Sequence, residues 1–334
     1  MKKNLKILII GFGSIGARHC RNLQDLGFKN LAAYDIDTQK ISDAGISVVP
    51  RLDEKILREF DVAFICNPTD VHLKTALLCA KAGLHLFIEK PLSHSVVGIA
   101  ALKEIIRKRR LTAMVACNFR FHPGFQRLEE IVRSGKFGKP LSARLVMGHD
   151  LSKSRGGVDY RKTYAASKFG GGVIFDSGSH AVDYLSVLFG SIVSLDACYG
   201  NISALGIEAE DYTSAILEHD SGLMTTLELD YFSKPKRHNL EVQFENGWAK
   251  WDFAGNRFLS YNDHTKETFE EAVYKEASPE IMRNDMYFRE LKYFLSKITA
   301  DSRDVACGVK EGGRVVEVLT AIKKSGKTGK KVII

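Results

Sequence analysis

The chain lacks the features that would mark it as a membrane, metal or disulfide-stapled protein. No apolar run in its 334 residues approaches the roughly 18 that a membrane helix needs. Its six cysteines, Cys20, Cys66, Cys79, Cys117, Cys198 and Cys307, are scattered, with no CxxC pair and no metal-ligand spacing. They are expected to be free thiols, mostly buried, in a reducing compartment, and no bound metal is expected. Charge of one sign is in modest excess: 48 basic against 40 acidic residues leave a net +8. The densest basic cluster, Arg107-Lys108-Arg109-Arg110, has no interleaved aromatics and follows an apolar-periodic stretch. It reads as a helix C-terminus, where cations suit the dipole, and nucleic acid is not an expected partner. Lys2 and Lys3 precede an apolar stretch, but Lys6 interrupts it and glycines follow it, unlike a signal peptide. The expectation is a cytoplasmic protein without a membrane partner. There is no internal repeat and no low-complexity tract.

What is present points to two domains, a length of 334 residues being too great for one simple core. Residues 6–10, 30–34, 62–66, 85–88 and 112–116 are strand-like. Between them, 15–26, 53–59, 71–82 and 93–109 are helix-like, with Ser93 as an N-cap. Such alternation predicts an α/β fold with a parallel, doubly wound sheet. Beyond Phe121 the pattern changes. A helix is predicted over 124–134, closed by Gly135, then longer strands at 142–148, 192–199, 211–219, 222–232, 240–244 and 248–252. Asp220-Ser221-Gly222 and Glu245-Asn246-Gly247 read as hairpin turns. Helices are expected over 173–189, 279–298 and 309–323. The expected division is a dinucleotide-binding Rossmann domain over 1–120 and a substrate-binding, oligomerising α/β domain over 121–334, built on a large open, mostly antiparallel sheet.

Gly11-Phe12-Gly13-Ser14-Ile15-Gly16 fits G-x-G-x-x-G, directly after a strand and opening a helix. In that context Gly11 allows the tight turn, Gly13 the approach of a pyrophosphate and Gly16 close helix–strand packing. Asp35 ends the second strand, 19 residues after Gly16. A carboxylate there accepts from both ribose hydroxyls and repels a 2′-phosphate, so NAD is preferred to NADP. Asp37 is the rival for this role. In Cys66-Asn67-Pro68-Thr69 the side chains of Asn67 and Thr69 are placed to contact the nicotinamide ribose, with Pro68 fixing the turn. The plainer reading has Thr69 or Asp70 capping a helix.

Glu89-Lys90-Pro91 ends the apolar stretch Leu84-His85-Leu86-Phe87-Ile88. Ligands of open α/β sheets bind beyond the carboxyl ends of the strands, so Lys90 is expected to face one. Glu89 would pair with Lys90 or with another cation, and a cis bond before Pro91 would aim the lysine. After a glycine run at 170–172 come Asp176 and His180, i and i+4 on one helical face, with Gly178 between them leaving room for a ligand. A carboxylate beside a histidine orients the ring and raises its basicity. The plainer alternative is a capping aspartate and a core histidine.

Taken together, the loop at 11–16, Glu89-Lys90-Pro91, Asn118-Phe119-Arg120-Phe121-His122-Pro123, and 170–180 with Asp183 resemble the Gfo/Idh/MocA family of nicotinamide-dependent oxidoreductases, in order along the chain. The resemblance implies hydride transfer between NAD(H) and a hydroxyl or carbonyl carbon of a sugar, cyclitol or nucleotide-sugar. It assigns Lys90, Asp176 and His180 to catalysis, and Asn118 and Arg120 to the segment reaching the substrate. His180 would take the hydroxyl proton, Lys90 would hold the reacting oxygen, and Asp176 would orient His180 or bind a neighbouring hydroxyl. The cation-rich stretch 152–161 would suit an acidic or nucleotide-linked sugar. Two other readings of the same frame are a cofactor-binding sensor without catalysis and glycosidic cleavage with recycled NAD. A homodimer or homotetramer is expected, because the open sheet otherwise exposes a broad face.

Overall fold

The computed structural model describes residues 4–153, 159–168, 171–275 and 278–334. Gly170 and residues 154–158 of the cation-rich stretch lie outside them. Contacts divide the chain into two compact units. One holds the residues up to Asn118 together with Asn284–Val316; the other holds Phe119–Arg283 and Glu317–Ile334.

The first unit carries six parallel strands: β1 (Ile7–Ile10), β2 (Leu31–Tyr34), β3 (Ser47–Val48), β4 (Val62–Ile65), β5 (His85–Glu89) and β6 (Ala113–Ala116). Their spatial order is β3-β2-β1-β4-β5-β6. Connecting them are α1 (Ser14–Asp25), α2 (Thr38–Asp43), α3 (Glu54–Leu57), α4 (Thr69–Ala82) and α5 (Ile99–Arg109). Strands β1 and β4 are fully buried, as expected for a sheet covered on both faces. Phe64 and Phe87, opposed on β4 and β5, stack at 4.7 Å. Leu291, Phe294, Leu295 and Ile298 join this core from the later segment of the same unit.

The helix expected from Ser93 begins at Ile99 instead. Gly98, at φ +92°, interrupts the helical path. Ser93 Oγ accepts from the backbone of Ser95. Helix α4 starts at Thr69 after Pro68, with no side-chain cap, so neither Thr69 nor Asp70 acts as one.

The second unit opens with α6 (Pro123–Ser134), capped by His122 and closed by Gly135 in the left-handed region. Then follow β7 (Pro140–Gly148), α7 (Gly172–Phe189), β8 (Ile192–Gly200), β9 (Tyr212–His219), β10 (Met224–Asp230), β11 (Arg237–Phe244), β12 (Gly247–Asp252), β13 (Arg257–Asn262) and β14 (Glu267–Ala272). Helices α8 (Pro279–Thr299) and α9 (Val309–Thr328) precede a short β15 (Val332–Ile333). The sheet order is β14-β13-β12-β11-β7-β10-β9-β8-β15. Only β7 and β10 pair in parallel; the other neighbours are antiparallel. Burial alternates along β9 and β10, so one face is packed and the other carries exposed Ile216 and Met224. Strands β13 and β14 were not foreseen; β14 is nearly all exposed and has no apolar alternation to reveal it.

Among the described residues, no helix is long and apolar enough to cross a membrane. All six cysteines are free; five are buried, and Cys198 is exposed.

Candidate active site

The glycine loop links β1 to α1. Gly11 has φ +93°, and a Cβ there would overlap the backbone of Asn67 at the end of β4. A Cβ on Gly16 would overlap the carbonyl of Gly11. These two glycines are therefore demanded by the protein's own packing. Gly13 is not: it is exposed, and a Cβ would meet nothing within 4 Å. Its bareness leaves open space in front of the first turn of α1, which supplies N–H donors and the positive dipole end. These residues fit a pyrophosphate.

Asp35, just past β2, accepts from the backbone N–H of Phe12 at 2.5 Å and of Asp37 at 2.9 Å. It ties the strand end to the glycine loop. The rival Asp37 instead pairs with Lys40 at 2.9 Å on the surface. At the end of β4, Asn67 donates its amide to the Thr75 hydroxyl at 2.8 Å, and its buried Oδ1 has no hydrogen-bond partner among the described residues.

Glu89 ends β5. Its partner is His19 of α1, with Nε2 2.7 Å from the carboxylate. Lys90 follows, half-buried, and the Lys90–Pro91 bond is cis. Nδ1 of His72 lies 2.8 Å from the Pro91 carbonyl and Nε2 2.6 Å from the Asn67 carbonyl. This buried ring therefore ties the turn after β4 to the turn carrying Lys90. Burial pushes the His72 pKa down, against the pull of the two carbonyls and of Glu89 and Asp70.

In the second unit α7 carries Asp176 and His180 one turn apart, both half-buried. Asp176 is clamped by two phenols. Tyr164 donates to Oδ1, and Tyr231, just past β10, donates to Oδ2 at 3.1 Å. Burial, then the Asp176 charge, pushes the Tyr231 pKa well above the usual tyrosine value, so it stays a donor. The His180 ring meets Phe119 edge-on at 4.7 Å. Gly178 does not open the helix to a ligand. A Cβ there would press on Leu319 at 3.1 Å and Leu229 at 3.3 Å, so the glycine serves internal packing.

Arg120 makes a two-pronged contact with Asp183, at 2.8 and 2.6 Å, and both side chains are largely buried. Its guanidinium thus holds α7 to the segment before α6. Asn118 is buried, with Nδ2 making no hydrogen bond to the described residues.

Sequence reasoning did not single out His19, His72, Tyr164 or Tyr231. Only His19 had a local signal: Gly16, His19, Cys20 and Leu23 form the buried stripe of α1. Tyr231 lies 55 residues from Asp176, beyond the reach of local spacing.

Residues 5–117 match the family model of an oxidoreductase family with an NAD-binding Rossmann fold, and residues 125–250 match the GFO/IDH/MocA C-terminal domain. The chain is 29% identical over 201 residues to an uncharacterised oxidoreductase of Bacillus subtilis, covering 58% of this chain and 56% of that protein. It is 26% identical over 196 residues to a myo-inositol 2-dehydrogenase of Thermotoga maritima, covering 57% and 56%. It therefore spans little more than half the length of these relatives. The fold is similar to that of a levoglucosan dehydrogenase solved with NADH and levoglucosan, with TM-score 0.86, 16% identity and 99% of each chain covered. With its Rossmann sheet and its broad, mostly antiparallel second sheet, the chain belongs to the Gfo/Idh/MocA oxidoreductase family.

Proposed function

We propose that this protein is an NAD-dependent dehydrogenase acting on a CH–OH group of a polyhydroxylated small molecule such as a sugar or cyclitol. The observation carrying this reading is that Lys90 directly follows strand β5 of the Rossmann sheet and that Asp176 and His180 lie one turn apart on α7, the positions that the family resemblance assigns to catalysis. The relatives named as dehydrogenases of inositol and apiose support the substrate class.

The first unit would bind the cofactor through residues 11–16, Asp35, Asn67, Pro68, Glu89 and Lys90; the second would bind the substrate and mediate self-association. Bound NAD supplies the hydride acceptor. In the oxidative direction His180 takes the proton of the substrate hydroxyl. Lys90 donates a hydrogen bond to the same oxygen and stabilises the negative charge developing there. Asp176, fixed by its two tyrosines, is an acceptor for a neighbouring hydroxyl. NAD is favoured over NADP because Asp35 stands at the second strand end, where its charge repels a 2′-phosphate. A reducing, cytoplasmic setting belongs to the same proposal and suits the six free thiols. A homo-oligomer would cover Ile216 and Met224, which are 47% and 50% exposed on adjacent strands.

The test is NAD reduction against a panel of sugars, cyclitols and nucleotide-sugars, with Lys90→Met as the control. Lys90→Met should cut turnover by roughly a thousandfold or more while weakening NADH binding far less. A variant that keeps substantial turnover ends the catalytic role of Lys90.

A further inference from the structure

Strands β7, β10 and β11 are neighbours in the second sheet and end together. Their register pairs Gly148 with Arg237 on one side and with Asp230 on the other. The next positions outward are His149, Lys236 and Tyr231. His149 packs edge-on against Tyr231 at 5.3 Å, and Tyr231 holds Asp176. Lys236 Nζ lies 5.0 Å from the centre of the Phe253 ring. Phe253 in turn meets Phe119 at 5.1 Å, and Phe119 edges onto His180. His149 and Lys236 are thus one and two side chains, respectively, from the Asp176/His180 face.

Their surroundings are unbalanced. Lys236 and His149 are charge neighbours, and Arg283 repels Lys236 further. The acids nearby are already engaged. Asp150 pairs with Lys234 at 3.3 Å, Asp230 with Arg237 at 3.0 Å, and Asp176 with its two tyrosines. Among the described residues no carboxylate pairs with Lys236. Lys236 is exposed; partial desolvation of its ammonium by the surrounding residues, then the Arg283 charge, push its pKa below the usual lysine value. Lys236, a cation without an acid partner, beside the His149 ring, which burial keeps uncharged near neutral pH as a hydrogen-bond donor, is stabilised by an anion arriving from outside.

We propose that Lys236 and His149 form an anion subsite beside Asp176 and His180, and that the polyol bound there carries a carboxylate or phosphate. That this polyol is also oxidised rests on the dehydrogenase reading above; the subsite itself does not.

The experiment compares matched pairs, D-gluconate with D-glucitol and D-glucose 6-phosphate with D-glucose, by calorimetric binding to the NADH-loaded protein. NAD reduction is followed in parallel. One anionic member should bind at least about tenfold more tightly than its neutral partner, by the strength of charge-assisted contacts. Lys236→Gln and His149→Gln should each remove most of that preference, and raising the salt concentration should weaken the anion alone. Gluconate preference identifies a carboxylate, and glucose 6-phosphate preference a phosphate. Equal binding of both members, no binding of either anion, or a preference unchanged in Lys236→Gln overturns the subsite. Anion binding that needs Lys236, without NAD reduction, keeps the subsite and removes the dehydrogenase reading.

Discussion

Nε2 of His19 lies 2.7 Å from Oε1 of Glu89, with the histidine fully buried and the carboxylate nearly so. The ring is enclosed by Phe64, Phe87 and Tyr287, and its Nδ1 has no hydrogen-bond partner among the described residues. A carboxylate can only accept, so Nε2–H of His19 donates to it. This one bond fixes the helix after the glycine loop to the strand end that carries Lys90. Glu89→Leu strands a buried donor and should destabilise the protein by roughly 1–3 kcal/mol, whereas Glu89→Gln keeps an acceptor and should cost less than half as much. Urea unfolding of the two variants measures the difference; equal losses would mean that packing, not the hydrogen bond, matters at position 89.

The glycine loop separates a folding requirement from a ligand requirement. A side chain on Gly16 would collide with the Gly11 carbonyl, while one on Gly13 would enter open space. Gly16→Val should therefore lower the unfolding temperature by several degrees, from the steric overlap alone. Gly13→Val should leave the melting temperature unchanged but weaken NADH binding by roughly a hundredfold, because the pyrophosphate needs that space. NADH fluorescence titration and thermal melts decide the matter. Full cofactor affinity in Gly13→Val would mean that the pyrophosphate lies elsewhere.

What local spacing encodes was readable in advance, and what folding brings together from afar was not. The strand–glycine–helix start, the alternation through β6, and Asp176 and His180 on α7 all follow from periodicity and turn chemistry within short windows. The partners of those residues do not. Glu89 and His19 are 70 positions apart, and Asp176 and Tyr231 are 55 apart. The pairing of β7 with β10 is likewise a long-range choice of register. Two misreadings were local. Gly98 halted a helix that apolar spacing alone would have started at Ser93, and Gly178 answered to Leu319 and Leu229 rather than to a ligand. Glycine is an ambiguous signal because a bare Cα serves close packing and ligand approach equally well.

Asp35 both braces the glycine loop through Phe12 and stands where the adenosine ribose is expected. Asp35→Ser removes a charge that disfavours a 2′-phosphate together with an acceptor for the loop. It should weaken NADH by roughly tenfold and NADPH far less, shifting the ratio of their Kd values toward NADPH by about 1–2 kcal/mol. Direct titration of both cofactors tests this. An unchanged ratio would move the ribose contact to another residue, and Asp37, tied to Lys40, is the one to try next.

Acid should destabilise the fold well above the carboxylate range. Burial is the largest cause of a lowered pKa at His85, His149, His219 and His238, and at His238 the drop is large. In the unfolded chain these histidines take up a proton near pH 6.5. Because their folded values lie lower, the unfolded state binds more protons as the pH falls through that region. Their contribution to stability is thus complete above about pH 6.5 and is lost as the pH drops toward the folded values. For each proton the slope approaches about 1.4 kcal/mol per pH unit. The buried His238 ring, within 3.2 Å of the Tyr184 hydroxyl, should contribute most. Urea midpoints measured from pH 7.5 to pH 5 should fall steadily, and His238→Gln should flatten that dependence. A profile flat over this range would mean that the histidines gain their protons in the fold as readily as in the open chain.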